Sequence, residues 1–113
     1  MFVTHDREVH ETGLPGIRMK TLCFGDRTLM VEFRLVAGSV LPTHTHPHEQ
    51  TGYLTRGRMV LAIGDERYDA GVGDSWCIPA DIDHGAEIID DSVAIEVFAP
   101  VCDEYLPGGG GAS

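Results

Sequence analysis

Glycine, aspartate and proline interrupt this chain every few residues and leave no segment with apolar residues at helical spacing. The interruptions fall at 25–26, 38–39, 57, 64–65, 71–74, 79–83 and 90–91. The runs between them are rich in β-branched and aromatic residues, which is typical of strands. We predict strands at 17–24, 28–37, 49–56, 58–63, 66–69, 75–79, 84–89 and 92–99. So many strands joined by short loops predict an all-β fold, an antiparallel sandwich or closed barrel.

The size and charge of the chain exclude several classes of function. With 113 residues it is long enough for one core and too short for two, so we expect a single domain. Eighteen acidic and eight basic residues give a net charge of −10, which argues against binding to nucleic acid or to an anionic membrane surface. A small-molecule ligand is the remaining expectation.

The N-terminal segment, the cysteines and the glycine-rich segment indicate the cellular compartment and the domain boundaries. Charged residues stand within the first eight positions, where a secretory signal would be apolar, and no run approaches the roughly 20 apolar residues of a membrane span. Three widely spaced cysteines predict reduced thiols and a cytoplasmic protein. We expect a barrel with an N-terminal arm over residues 1–105 and a flexible glycine-rich tail over 106–113.

Several of the predicted strands are apolar on both faces, for example at 59–63 and 93–95. In so small a domain, a second strand layer or a second subunit must cover the outer face. We therefore expect a homodimer.

Histidines are concentrated in the segment 44–50, His-Thr-His-Pro-His-Glu-Gln. On an extended chain His44, His46 and Gln50 share a parity and can face one point. Two imidazoles at i and i+2 can hold one side of a metal ion, and His84, just after the turn at 79–83, is a candidate from another strand. The cluster predicts a metal site.

The spacing around these histidines follows two patterns. One is G-x5-H-x-H-x3-Q-x6-G, from Gly38 to Gly57, and the other is G-x5-P-x4-H, from Gly73 to His84. Together they resemble the paired motifs of the cupin superfamily over residues 13–105. This resemblance implies a small antiparallel jelly-roll barrel. It also implies these metal ligands: His44, His46, Gln50 and His84.

Gln50 occupies the position where the superfamily usually has a glutamate. Three neutral imidazoles and a neutral amide would leave a divalent ion its full charge, which makes it a stronger Lewis acid. We expect one divalent transition metal ion, and the donor types alone do not choose among Zn, Ni, Mn and Fe.

The last predicted strand supplies a candidate acid or base. Glu96 shares a face with Ala94 and Phe98. If that face points inward, desolvation should raise the Glu96 pKa toward the range useful for proton transfer. If it points outward, Glu96 is a solvated carboxylate or a partner of an arginine such as Arg34. Trp76 and Phe98 are candidate pocket walls, and His48 is a candidate for the pocket rim.

The segment His-Thr-His-Pro-His-Glu-Gln-Thr-Gly-Tyr-Leu-Thr-Arg-Gly, with the later Ile-Pro-Ala and His-Gly-Ala, resembles one group of cupins. These are the small pectin-degradation cupins, which convert unsaturated monouronates to linear keto forms and form dimers. By this resemblance Glu96 falls where the group has a catalytic aspartate, and Phe98 matches its aromatic residue. Cys102 falls where the group has an arginine. A substrate carboxylate would then be held by the metal or by one of Arg18, Lys20, Arg56 and Arg58.

Three functions remain open on the sequence. The first is a metal-dependent isomerase or lyase for a small, uronate-like carboxylate, with Glu96 as general acid or base. The second is an Fe- or Mn-dependent dioxygenase for a small molecule. The third is a non-catalytic cupin that binds or senses a sugar.

Overall fold

The computed structural model describes residues 1–6, 8–101 and 106, and these residues form strands and turns without any helix. All strand pairs are antiparallel, which confirms the all-β prediction. The eight strands are β1 (His10–Glu11), β2 (Ile17–Phe24), β3 (Leu29–Leu35), β4 (Val40–His44), β5 (Glu49–Ile63), β6 (Glu66–Gly71), β7 (Ser75–Ile78) and β8 (His84–Ala99).

Two long strands, β5 and β8, pair along almost their whole length and organise the sheet. The strand order is β1-β2-β3-β8-β5-β6, with β4 added against β8 and β7 added against β5. One half of the β5–β8 pair is therefore flanked by β3 and β7, and the other half by β4 and β6. This arrangement gives the two layers of a jelly-roll barrel, with the core between them.

The β5–β8 pair passes from one layer to the other at an irregular stretch around Gly57. Gly57 has a φ of +90°, and a Cβ there would lie 2.2 Å from Ser92 Oγ and 2.3 Å from the Asp91 carbonyl oxygen. Only glycine accommodates both the backbone conformation and this contact. The strand ends that we predicted at 57 and at 90–91 are therefore wrong, because the chain forms register shifts there and continues.

Strand β4 was not predicted. Its sequence, Val-Leu-Pro-Thr-His, is largely exposed and lacks apolar alternation. Pairing with β8 holds it in place, with Val40 opposite Glu87 and His44 opposite His84. This register brings the two histidines together across neighbouring strands.

Strand β8 shows how the barrel separates its inside from its outside. Ser92, Ala94, Glu96 and Phe98 are buried, and the residues between them are half-buried on the outer face. The side chains that form the larger core cluster are Ile17, Leu35, Leu54, Met59, Leu61, Ala70, Ala86, Ile88 and Ala94.

Residues 107–113 of the predicted tail lie outside the described residues. Cys102, which falls where the resembling cupins have an arginine, also lies outside them. Leu106, which we expected in the tail, is partly buried and packs against the cluster that contains Leu29 and Phe98.

Candidate metal centre

Three histidines converge at the cavity inside the barrel. His44 ends β4 and His84 begins β8, and their ring centroids are 4.2 Å apart. His46 lies between β4 and β5, with its centroid 4.7 Å from that of His84 and 5.6 Å from that of His44. One nitrogen from each ring lies within 4.8 Å of the other two. This spacing allows the three imidazoles to hold one metal ion.

Backbone carbonyls set the tautomer of all three rings. The Nδ1 atoms contact the carbonyl oxygens of Pro42 (from His44, 2.9 Å), His48 (from His46, 3.1 Å) and Ile82 (from His84, 2.9 Å). A carbonyl oxygen only accepts hydrogen bonds, so each Nδ1 must carry the proton. In the neutral rings, each Nε2 then carries a lone pair available to a metal ion.

His84 shows most directly that this arrangement suits a metal ion. The residue is buried, and its Nε2 has no hydrogen-bond partner among the described residues. Burial lowers the pKa of His84, which favours the neutral ring and leaves the Nε2 lone pair free. A buried acceptor without a partner costs roughly 1–3 kcal/mol, and a metal bond would remove that cost.

Gln50 adds a fourth electron-pair donor. It is buried in β5, and its Nε2 donates to Glu96 Oε1 at 2.6 Å. Its Oε1 therefore faces His46 Nε2, at 3.1 Å. Two lone pairs at this distance repel each other unless a cation attracts both. The donor set of three imidazoles and one amide oxygen thus fits a divalent transition metal.

Glu96 lies beside these donors, in the wall of the same cavity. Its Oε1 accepts hydrogen bonds from Gln50 Nε2 and, at 2.9 Å, from Trp76 Nε1. Burial raises the pKa of Glu96, and the two hydrogen bonds oppose that rise. The structure therefore places a carboxyl group with a raised pKa next to the histidines.

The cavity has a volume of about 50 Å³. Its polar lining residues contact one another as one cluster that contains the three histidines, Gln50, Glu96 and Trp76. The rest of the wall is apolar and consists of Ile17, Phe33, Leu35, Leu41, Met59, Leu61, Ala86, Ile88, Ala94 and Phe98. Within the described ranges, no lysine or arginine lines it.

Two predicted pocket residues lie in the cavity wall, and two, His48 and Arg58, lie outside it. Trp76 and Phe98 line the cavity, and the Phe98 ring is 5.8 Å from the His46 ring. His48 is half-buried and packs its ring 5.4 Å from that of His46, outside the lining. Its backbone carbonyl oxygen accepts a hydrogen bond from His46 Nδ1 at 3.1 Å.

Arg58, predicted to lie at the pocket, is exposed and does not line the cavity. It stands opposite Asp90, beside the irregular stretch at Gly57. The neighbouring Met59 is buried in the core, and alternation therefore turns Arg58 outward. Other candidate cations are also outside the cavity: Arg18 pairs with Glu11, Lys20 pairs with Asp6, and Arg56 is exposed.

Gly52 is a residue of this site that the sequence analysis missed. It pairs with Glu96 on one side and with Trp76 on the other. A Cβ at this position would lie 2.2 Å from Trp76 Nε1. Only the register of three strands reveals this contact, and no local sequence pattern signals it.

Residues 31–99 match the cupin domain family, which is more than half of the chain. The chain therefore belongs to the cupin family. No curated protein sequence matches it. The described residues also contain no helix that is long and apolar enough to cross a membrane.

Solved structures agree with this assignment. KdgF from Halomonas sp. is 27% identical, with 93% of this chain and 98% of that chain covered and a TM-score of 0.86. An RmlC-like cupin from Shewanella frigidimarina is 24% identical, with 88% of each chain covered and a TM-score of 0.83. The polyketide cyclase RemF from Streptomyces resistomycificus is 25% identical, with 88% and 79% covered and a TM-score of 0.75.

Proposed function

We propose that this cupin is a metal-dependent isomerase or lyase for a small oxygenated carboxylate, in which Glu96 transfers the proton. The observation that carries the proposal is the shared cavity: three histidine Nε2 atoms and a buried carboxyl group border the same small space. A divalent ion, when bound, would polarise a substrate carbonyl or hydroxyl.

Each residue of the polar cluster has a distinct role in this proposal. His44, His46, Gln50 and His84 hold the metal ion, which is Zn, Ni, Mn or Fe. Glu96 accepts a proton from a carbon or oxygen of the substrate and returns it, and its raised pKa suits both directions of transfer. The apolar wall limits the entry of water beside the reacting atoms.

An unsaturated uronate is the first substrate class that we propose. It is supported by the likeness to KdgF, which extends over 93% of this chain. The sequence resemblance adds support, because it implies that Glu96 falls where the pectin-degradation cupins have an aspartate. Because no basic side chain of the described ranges lines the cavity, the substrate carboxylate must bind at the cluster or project out of the cavity.

The apolar wall favours a second substrate class, an enolisable ketone with an apolar body. A sugar hydroxyl buried against aliphatic side chains, without a partner, costs roughly 1–3 kcal/mol, whereas an apolar ring system gains by burial there. The likeness to the polyketide cyclase RemF supports this alternative. Both classes require the same event at Glu96, removal of a proton beside a polarised oxygen.

The test measures proton transfer directly and under nitrogen, with protein loaded separately with Zn, Ni and Mn. Loss of the ultraviolet absorbance of an unsaturated monouronate reports the first class, and deuterium exchange beside the carbonyl of a cyclic diketone reports the second. We expect turnover of one class, reduced about 10²- to 10⁴-fold in Glu96→Gln. Glu87→Gln is the matched control, because Glu87 lies in β8 with an exposed side chain.

Two results would contradict the proposal. One is the absence of turnover for both classes with every metal, which would favour a binding or sensing role. The other is oxygen uptake that depends on Fe(II), which would favour a dioxygenase.

We also propose a homodimer formed through the outer face of β3, β5 and β8. This face carries Met30 and Tyr53, which are 37% and 48% exposed, beside the half-buried Ile95 and Val97. Sedimentation equilibrium should give twice the 12.3 kDa chain mass, and Tyr53→Lys should shift the mass toward one chain. A monomeric wild type would contradict this.

A further inference from the structure

Glu96, Gly52 and Trp76 lie side by side on three neighbouring strands. Glu96 of β8 pairs with Gly52 of β5, and Gly52 pairs with Trp76 of β7. Because Gly52 has no side chain, the indole can lie directly against its Cα and reach the far strand. There, Trp76 Nε1 donates to Glu96 Oε1 at 2.9 Å.

The direction of these hydrogen bonds follows from chemistry. An indole N–H only donates, so Glu96 Oε1 must accept the hydrogen bond from Trp76. The same Oε1 contacts Gln50 at 2.6 Å. In this contact the amide NH₂ group of Gln50 donates, and an ionised Glu96 can only accept. The carbonyl oxygen of Gln50 is thereby turned to His46 Nε2 and the metal site.

We propose that Trp76 is a positioning residue: seated over Gly52, it acts through Glu96 to keep the oxygen end of Gln50 facing the metal site. An amide is nearly symmetric in shape but not in chemistry, because its NH₂ end has no lone pair for a metal. The hydrogen-bond chain selects the end that binds. This inference rests only on the metal-binding part of the proposed function.

The chain of contacts has a built-in redundancy, which gives a distinctive prediction. In Glu96→Gln, the indole N–H still requires an oxygen at its contact, so the new amide orients correctly and so does Gln50. In Trp76→Phe, the Glu96 carboxylate offers only oxygens, and Gln50 stays oriented. In the double variant, the new amide can present either end to Gln50, and the NH₂ group of Gln50 can then face the metal site.

The test is a double-mutant cycle on metal affinity, with Zn(II) competed against a chromogenic chelator and the visible spectrum of bound Co(II) as a second readout. We expect less than about a threefold loss of affinity in each single variant and about a 10- to 100-fold loss in the double variant. The Co(II) spectrum should change only in the double variant. A loss no greater than the product of the single losses would overturn the proposal.

A second pair of variants guards against a folding defect in the first. Gly52→Ala displaces the indole and keeps the tryptophan, because its Cβ would lie 2.2 Å from Trp76 Nε1. Combined with Glu96→Gln, it should reproduce the loss of affinity. Cys77→Ala in the same background is the matched control, since Cys77 is the exposed neighbour of Trp76 and should leave affinity unchanged. Equal affinities in both combinations would overturn the proposal.

The two proposals fail in different ways. A wild-type protein that binds neither Zn(II) nor Co(II) contradicts the proposed function. A wild-type protein that binds metal, with a strictly additive cycle, contradicts only the role of Trp76.

Discussion

The cavity of this cupin has two unlike surfaces, a polar cluster and an apolar wall. In the polar cluster each side chain has a fixed orientation, set by carbonyls for the histidines and by Glu96 for Gln50. The apolar wall requires only side chains of suitable volume and shape, and apolar residues of similar size can replace one another there with little loss of stability. Function is therefore sensitive to single atoms in one surface, and stability depends on total packing in the other.

The largest expected effect is on metal affinity in the polar cluster. His84→Ala should weaken Zn(II) binding by more than about 100-fold, since even the partners of metal ligands contribute about 10- to 100-fold. His48→Ala is the control, because His48 also has a buried ring nitrogen with no hydrogen-bond partner in the described part of the chain but lies outside the cavity lining. Competition titration checks both variants. Equal losses would remove the distinction between the two histidines.

A substitution in the apolar wall should change the stability of the fold rather than its metal affinity. Leu61→Ala removes a buried side chain from the wall and should lower the free energy of unfolding by about 2–4 kcal/mol. Zn(II) affinity of the folded protein should stay within about twofold, because the leucine side chain has no electron pair to offer a metal ion. Urea denaturation and metal titration give the two numbers. A large loss of affinity with little loss of stability would contradict the separation.

The raised pKa of Glu96 gives a pH-dependent prediction for the metal-free protein. Because the folded-state pKa lies above the unfolded value of about 4.5, the folded protein binds the extra proton. Stability is then lost as pH rises from about 4.5 through the folded pKa, by about 1.4 kcal/mol for each unit of pKa difference. Glu96→Gln should remove this loss.

The measurement is urea denaturation of both proteins across pH. The lowered pKa of His84 acts in the other direction, destabilising the fold as pH falls below 6.5. Since both proteins contain His84, this contribution cancels in their difference. A difference in stability that stays constant with pH would show that the pKa of Glu96 is not raised.

The smallest effect is expected at Arg58, outside both surfaces. Arg58→Ala should leave metal affinity and turnover within about twofold and change stability by no more than about 0.5 kcal/mol. Steady-state kinetics with whichever of the two proposed substrate classes the wild-type protein converts checks this. A tenfold rise in KM would contradict this and show that Arg58 takes part in substrate binding.

The sequence predicts the histidines of the polar cluster because their signal is local. His44 and His46 stand two residues apart, and His84 follows a proline-containing turn at a spacing typical of cupins. Strand parity was not the physical reason for the position of His46, which lies in the loop after β4. Hydrogen bonds to carbonyls orient these rings instead.

Other features could not be predicted because they depend on register between distant strands. The outward turn of Arg58 follows from the shifts around Gly57, and the contact of Gly52 with Trp76 exists only once β5 and β7 are aligned. The apolar wall was visible as a set of strand residues, but the absence of cations from the lining within the described ranges was not.

X-ray absorption spectroscopy of the Zn-loaded protein tests the central claim most directly. The account predicts one ion per chain bound by three imidazole nitrogens at about 2.0–2.1 Å and by oxygen, with the imidazole count falling to two in His84→Ala. An ion bound by oxygen alone, or an imidazole count unchanged in His84→Ala, would contradict it.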